Sequence, residues 1–362
     1  MVESNERRRI IELDALKFLA IIFMITVHIF EFNFNPENYN DIVYNLVFFL
    51  GGPPAAPAFL FCMGVTIAFS RKKEPTDHIK RGFILLMLGY LLNALNGWIL
   101  MGAEYCAGLP AVSIEDVIDL VLLVDILHLA GMSFMLIGVL EKIHVPHSVM
   151  LVLALIMQAV GYALAGTCTG NPVIDGFLGL FIKMEYPESA FPLLNWFIFP
   201  VVGILFSDII RHCTDHRKLY SKILMIFTAI FVIYMVLCIM LGVDVMQFYL
   251  LDSYYNQNIL KTFFSLSCVM LELSVLYFLM SWIQGTSFGD RISMIVTKVS
   301  YSLTTIYYIQ WIIIGNISNF IYGIEYAFEP WLFPIFVIVL VPLCMWTGVK
   351  VKEYRDPKVV AS

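Results

Sequence analysis

Long apolar runs recur along this chain, and they limit its fold more than any other feature of the sequence. Several runs exceed about 18 residues with few charges, which is the length that crosses a bilayer as an α-helix. Hydrophobic residues make up 60% of the 362 residues and charged residues only 14%, which is more apolar than a soluble protein of this size needs to be. The sequence therefore predicts an all-α, polytopic integral membrane protein.

We predict about ten transmembrane helices within a single domain of residues 1–362. In chain order they are Leu13–Phe30, Leu46–Ser70, Gly82–Met101, Val117–Leu140, Ser148–Gly166, Phe191–Ile210, Ile223–Val243, Thr262–Ile283, Ser302–Tyr322 and Trp331–Val349. No small-residue cleavage site follows the first run, so we expect a retained helix rather than a signal peptide.

The distribution of basic residues predicts how these helices are oriented. With ten spans, 19 of the 22 lysines and arginines fall before the first helix, in alternate loops or in the tail. The loops on the opposite side hold only Lys183 and Lys261, and they are longer and more acidic. Because basic loops stay in the cytoplasm, both termini should be cytoplasmic in a multi-pass protein of the cell membrane.

Ionisable residues inside the first predicted helix are the main candidates for a function. Lys17 and His28 are 11 positions apart, which places them about 20° apart around the helix and about 16 Å apart along it. Asp14 can pair with Lys17, and Glu31 with His28, at a spacing of three residues. A polar stripe of this length through apolar sequence indicates a path across the membrane, although His28 could instead make only a hydrogen bond between helices.

The fourth predicted helix repeats this pattern. Asp125 and His128 lie three residues apart within apolar sequence, so both should occupy one helical face in the outer half of the membrane. The pair could take part in acid–base chemistry, or it could simply lock two helices together. The residues leave both interpretations open.

The second predicted helix begins irregularly. Residues 51–57 contain three prolines and two glycines, which do not form a regular first turn. Irregular backbone at membrane depth is tolerated where protein covers it or where it lines a wet cavity. This segment should therefore border the cavity that His28 faces, or else form a plain loop outside the lipid.

A basic loop follows the second helix. Its residues include Arg71, Lys72 and Arg81. Cytoplasmic placement alone accounts for such charges, but they could also bind a ligand rich in phosphate, for which arginine is well shaped.

The seven cysteines show no metal-type spacing, and we predict neither a metal site nor nucleic-acid binding. Cys106 and Cys168 both fall in loops on the outer side, where an oxidising environment would allow a disulfide between them.

Several segments together resemble a family of membrane acyltransferases. Arg9–Lys17 followed by His28 resembles the first helix of the heparan-alpha-glucosaminide N-acetyltransferase-like family and of the related acyltransferase 3 family. The further matching segments are Ala56–Val65 with Ser70-Arg71 and Lys80-Arg81, Asp125–Phe134 ending at Leu140-Glu141, Phe191–Trp196 leading to Gly203, and Val299–Tyr308.

The chain departs from the family pattern at several positions. Lys17 stands where arginine is usual, Phe18 where glycine is usual, and Gln310 where acyltransferase 3 members often have histidine. Eukaryotic members place a functional histidine in the loop after the first helix, whereas residues 32–51 here contain none. His28 is then the remaining candidate in this part of the chain.

The resemblance implies transfer of an acyl group, usually acetyl from cytoplasmic acetyl-CoA, to a carbohydrate amine or hydroxyl across the membrane. His28 would act as general base or accept the acyl group itself. The resemblance also implies that the protein could form a homodimer. The predicted catalytic residues are His28, Glu31, Asp125 and His128, and the predicted acyl-CoA-binding residues are Asp14, Lys17, Arg71, Lys72 and Arg81.

Two other functions remain open at this point. The intramembrane aspartates, lysine and histidine could serve a transporter or exporter as a proton or substrate relay. The chain could also be a structural or sensory membrane protein.

Overall fold

The structure is a computed structural model, and it describes residues 9–35, 38–70, 74–107, 114–242, 254–317 and 328–357, excluding the side chains of residues 100, 103–107 and 114–116. Over these residues the chain is helical, and it contains no β-strand. The all-α class predicted from the apolar runs is therefore confirmed.

Fourteen α-helices are present in the described part of the chain. They are α1 (Ile11–Asn33), α2 (Asp41–Gly51), α3 (Ala56–Ala68), α4 (Pro75–Ala107), α5 (Ile114–Leu122), α6 (Ile126–Lys142), α7 (His147–Ala163), α8 (Pro172–Leu178), α9 (Leu193–Trp196), α10 (Ile198–His212), α11 (His216–Leu241), α12 (Ile259–Ile283), α13 (Ser287–Ile314) and α14 (Phe333–Arg355). A 3₁₀ turn, Pro330–Leu332, leads into α14.

Seven helical segments of the described chain are long and apolar enough to cross a membrane. They are Ile11–Asn33, Asp41–Ala68, Pro75–Ile99, Leu193–His212, His216–Leu241, Ile259–Ile283 and Pro330–Arg355. The protein is therefore a multi-pass membrane protein. Each of the ten predicted spans overlaps a helix, whereas the number of crossings and the side on which the termini lie stay predictions.

The fourth predicted span, Val117–Leu140, is wrong as a single helix. The chain leaves helical geometry after α5, and α6 begins only at Ile126. The side chain of Asp125 accepts a hydrogen bond from the backbone N–H of Ile126 at 2.7 Å, which caps the new helix. Val124 forms a parallel β-bridge with Ser189, so local hydrogen bonding replaces the helical bonds at this position.

The first helix, α1, lies at the centre of the bundle, because it packs against α2, α3, α12, α13 and α14. Leu16, Ile25 and Phe30 point in different directions around it, and each is fully buried. A helix that is apolar on most sides is stabilised by burial on most sides. Its few polar groups consequently meet protein rather than lipid.

The close crossing of α3 and α10 explains two glycines of the family-like segments. A Cβ atom placed on Gly64 would overlap the carbonyl oxygen of Pro200, and one placed on Gly203 would overlap the carbonyl oxygen of Phe61. Small residues allow membrane helices to approach until their backbones touch. This crossing holds α3 in place beneath the irregular segment that precedes it.

Residues 52–55 form a turn between α2 and α3. The irregular start predicted for the second span is therefore confirmed, and it divides the span into two helices.

Candidate active site

A cavity of about 430 Å³ opens between the middle of the bundle and its predicted outer side. Its walls come from α1, the 52–55 turn, the break before α6, the segment 188–191, the segment 254–255 and α13. The lining side chains that carry polar or aromatic groups are His28, Glu31, Phe32, Phe48, Asp125, Glu188, Phe191, Tyr254, Tyr255, Tyr307 and Trp311. Gly51, Gly52 and Ala56 also line it, which confirms that the irregular segment borders the cavity that His28 faces.

His28 projects into this cavity from α1 and contacts α13. Its Nδ1 atom lies 2.9 Å from Nε2 and 3.2 Å from Oε1 of the Gln310 amide. Gln310 is fully buried, and the Trp311 ring packs against the imidazole with a centroid distance of 4.9 Å. The Gln310 amide therefore binds Nδ1 of the imidazole. Any acid–base chemistry of this ring would use its other nitrogen, Nε2.

Glu31 lies one turn beyond His28 on α1 and lines the same cavity. Its side chain is half-buried, and among the described residues it has neither a hydrogen-bond partner nor an ion-pair partner. A carboxylate below the surface without a partner is costly. The site is therefore suited to a ligand that brings a positive charge or a hydrogen-bond donor.

Asp125 reaches the cavity from the break before α6. One of its oxygens caps α6, and the other accepts a hydrogen bond from the hydroxyl of Tyr307 on α13. The neighbouring bridge between Val124 and Ser189 brings Glu188 beside it. Three carboxylates from three distant parts of the sequence thus face one cavity.

His128 is placed differently from the other predicted catalytic residues. It is fully buried, and it does not line the cavity. Its Nδ1 accepts the backbone N–H of Asp125 at 3.2 Å, which completes a capping box at the start of α6. The ring also packs edge-on against Tyr90 at 4.4 Å. Asp125 and His128 were expected to share one face of a continuous helix. They lie together instead because both cap the start of α6.

Tyr254 and Tyr255 form an aromatic part of the cavity wall. The indole N–H of Trp196 donates to the carbonyl oxygen of Tyr255 at 2.9 Å, and the amide of Asn195 donates to Asn256 and to the carbonyl of Gln257. Burial, followed by the nearby charges of carboxylates that line the cavity, raises the pKa of Tyr255 well above its ordinary value. Its hydroxyl therefore stays protonated and can donate a hydrogen bond.

The predicted pair of Asp14 and Lys17 is wrong. Asp14 instead forms an ion pair with Arg9 at 2.5 Å and accepts a hydrogen bond from Ser300 at 2.5 Å. The ammonium of Lys17 donates to the hydroxyl of Thr66 at 3.1 Å. Arg9 and Ser300 thus take the place of Lys17 as partners of Asp14. Among the described residues no carboxylate lies within ion-pair distance of Lys17.

The other predicted acyl-CoA-binding residues lie in the basic loop and at the start of α4. Arg71 and Lys72 lie outside the described residues. Arg81 is exposed, and its guanidinium lies 4.7 Å from the centre of the Phe134 ring. Cys168 is exposed and its thiol is free, so the disulfide expected between Cys106 and Cys168 is wrong.

Sequence reasoning did not identify several residues of the cavity. Tyr307, Gln310 and Trp311 occupy one face of α13 at helical spacing and meet α1 across about 280 positions of sequence. Tyr307 belongs to the late family-like segment, and this resemblance was the feature of the sequence that could have identified it. Glu188 and Tyr255 lie in loops without periodicity, so nothing in the sequence placed them at the site.

The described residues contain no group of three or more histidine, cysteine, aspartate or glutamate side chains that could hold a metal ion. A comparison with curated proteins gives no match. The family model described as heparan-alpha-glucosaminide N-acetyltransferase, catalytic, matches residues 9–253, about two thirds of the chain. This stretch contains α1 and most of the cavity wall, and the chain belongs to this family of membrane acetyltransferases.

Proposed function

We propose that this protein transfers an acetyl group from cytoplasmic acetyl-CoA to an amine of a carbohydrate acceptor on the opposite side of the membrane. The observation that carries this proposal is the cavity in which His28 lies beside the unpartnered carboxylate of Glu31. The anionic group can bind the acceptor as an ammonium ion, and the base can take the proton that the nitrogen must lose before it attacks the acetyl carbon.

Lys17 supports the donor half of the proposal. Its ammonium has a neutral hydroxyl as partner, so it is available to an anionic ligand. A phosphate of CoA supplies such a charge, and lysine binds phosphate as a point charge. Acetyl-CoA itself supplies an acetyl group activated as a thioester. Lys17 lies on the same helix as His28 and about 16 Å from it along the axis, which leaves space for the pantetheine arm between them.

His28 acts as the general base. It takes a proton from the acceptor nitrogen as that nitrogen forms its bond to the acetyl carbon and the carbon–sulfur bond of the thioester breaks. The acceptor becomes an amide and CoA leaves as a thiol. An acceptor that arrives as an ammonium ion gives up two protons, one to the sulfur and one through His28 to water.

The lining of the cavity favours an amine over a hydroxyl. Glu31, Asp125 and Glu188 place three carboxyl groups at the cavity, which together hold an ammonium group more strongly than a neutral hydroxyl. Tyr254, Tyr255 and Trp311 offer aromatic faces on which the apolar face of a sugar ring can lie. Asp125 and His128 hold the wall by capping α6, and Asp125 alone of the two also faces the acceptor.

The test uses the purified full chain in lipid nanodiscs with radiolabelled acetyl-CoA and glucosamine as acceptor. Replacing the general base in His28→Ala should lower kcat by about 10²- to 10⁴-fold and leave the Kd for acetyl-CoA unchanged. His216→Ala removes an exposed histidine at the start of α11 and should match the wild type.

Full acetyl transfer by the His28→Ala variant would remove His28 from the mechanism. Solute uptake into proteoliposomes without any effect of CoA, together with no acetyl transfer, would support the transporter instead.

A further inference from the structure

We infer that the cavity selects against acceptors that carry a negative charge close to the accepting amine, and that Glu188 sets this selection. The inference rests on the proposed function and specifies the class of acceptor: an amino sugar whose neighbouring substituents are neutral.

The charge lining the cavity is one-sided. Three carboxylates line it, and no lysine or arginine does so in the described part of the chain. Glu31 has no partner among the described residues, so its carboxyl group is available to whatever enters. Lys183 lies beside the cavity, and its ammonium is 3.6 Å from the carboxylate of Glu188 and 5.7 Å from the centre of the Tyr255 ring.

Glu188 occupies the outermost position of the three carboxylates. Its side chain is 50% exposed, whereas Glu31 and Asp125 are partly buried. Its backbone carbonyl accepts the N–H of Val124 at 3.0 Å, which fixes the segment against the break before α6. Lys183 offsets its charge only in part, because an ion pair at 3.6 Å with a half-exposed carboxylate is weak.

An ammonium group entering this cavity meets charges of opposite sign. A sulfate or carboxylate on the same sugar meets charges of like sign in a partly dry space, where repulsion is stronger than in water. Like charges placed together suppress binding of the wrong partner. The selection should therefore appear as a difference in kcat/KM between two acceptors that differ only in charge.

The first experiment compares glucosamine with glucosamine 6-sulfate as acceptors for the full chain in nanodiscs. The wild type should use the sulfated sugar with kcat/KM lower by at least about tenfold. Glu188→Gln should reduce this ratio and Glu188→Lys should reduce it further. Glu185→Gln removes the same charge from an exposed residue three positions away that does not line the cavity, and it should leave the ratio unchanged.

A second experiment measures the charge of the cavity without catalysis. Trp311 lines the cavity, so the difference in fluorescence between the wild type and Trp311→Phe reports on that wall. Quenching by each ion is expressed relative to its quenching of free tryptophan at the same ionic strength. On this scale caesium should quench this component more than iodide does, and Glu188→Lys should raise quenching by iodide.

The two experiments separate the inference from the function on which it rests. Equal use of both sugars by the wild type, or an unchanged ratio in Glu188→Lys, overturns the inference while acetyl transfer itself stands. If neither sugar is acetylated, the proposed function fails. The quenching experiment then tests the charge selection by itself, and equal quenching of the wild type by iodide and by caesium would overturn it.

Discussion

A buried histidine can serve as a base only if one ring nitrogen keeps a lone pair directed at the acceptor. In this protein Gln310 is the side chain that holds Nδ1 of His28. If the amide oxygen accepts the proton of Nδ1, then Nε2 carries the free lone pair. Gln310 thus orients the imidazole, as a carboxylate does in other enzymes, without adding a charge within the membrane.

Replacing Gln310 tests this orienting role. Gln310→Leu replaces the amide by an apolar side chain of similar size, and it removes the hydrogen bond to His28. We expect kcat to fall about 10²-fold, the cost of a small misplacement of a catalytic group, while KM for acetyl-CoA is kept. Gln284→Leu, at an exposed residue just after α12, is the control. A Gln310→Leu enzyme with the wild-type kcat would show that His28 needs no partner.

Lys17 gives a prediction for the donor. Lys17→Met removes the ammonium and keeps much of the stem, so the Kd for acetyl-CoA should rise about tenfold or more, as expected for a lost charged hydrogen bond. Lys17→Arg should bind nearly as the wild type does. Isothermal titration with the purified protein measures both values, and Lys222→Met, an exposed change on α11, provides the baseline. Unchanged binding in Lys17→Met would place the phosphates elsewhere.

At the level of elements, the break between α5 and α6 is the feature that brings Asp125 into the cavity. Asp125 has two functions there, since one oxygen caps α6 and the other binds Tyr307. A continuous helix would have directed its side chain along a helical face. The break instead places it at the head of α6 and against α13.

Two substitutions separate these two functions of Asp125. Serine is a good helix cap and alanine is not, so Asp125→Ala should lower the free energy of unfolding by about 1 kcal/mol relative to Asp125→Ser. Both variants lose the carboxylate and should lose acetyl transfer to the same extent. Thermal unfolding followed with a thiol-reactive dye and the acetyl-transfer assay measure the two effects. A Ser variant with full activity would limit Asp125 to capping.

The crossing of α3 and α10 gives a prediction for stability. Gly64→Ala and Gly203→Ala each place a methyl group against the backbone of the facing helix, so each should lower the free energy of unfolding by about 1–3 kcal/mol. Gly102→Ala on α4 adds the same methyl group where no atom lies within 4 Å, and it should be neutral or slightly stabilising. Equal melting temperatures for all three variants would contradict the close crossing.

The sequence predicted these elements unevenly, for a physical reason. Apolar length identifies a membrane helix by itself, and α1 therefore matched its predicted span within a few residues. The break at Asp125 depends on a β-bridge to Ser189, a contact between distant residues that no local pattern contains. The same holds for the site: His28, Glu31 and Asp125 stood out as ionisable residues in apolar sequence, and Gln310 as a departure from the family pattern. The contacts of Gln310 and Trp311 with His28 became visible only when α13 was placed beside α1.

At the scale of the whole molecule, the orientation in the membrane decides which substrate reaches which end of α1. The basic loops predict that Cys213 faces the cytoplasm and Cys168 the opposite side. Cys168 is exposed and Cys213 is partly buried, so each can be addressed by a thiol reagent.

Thiol labelling of intact cells tests this orientation. A maleimide that does not cross membranes should label Cys168 in intact cells and should label Cys213 only after the membrane is opened. Cys168→Ser and Cys213→Ser identify the two signals. Labelling of Cys213 in intact cells, without labelling of Cys168, would reverse the orientation and place the carboxylate-lined cavity on the cytoplasmic side.

The unbroken course of α1 from Ile11 to Asn33 has a consequence for the donor. A single continuous helix carries both the ammonium of Lys17 and the imidazole of His28, so their separation along the axis is fixed. Under the proposed function α1 works as a molecular ruler. A shorter thioester, in which the distance from the sulfur to the first negative group is less than the distance from Lys17 to His28, would still bind at Lys17. Its acyl carbon, however, would not reach His28.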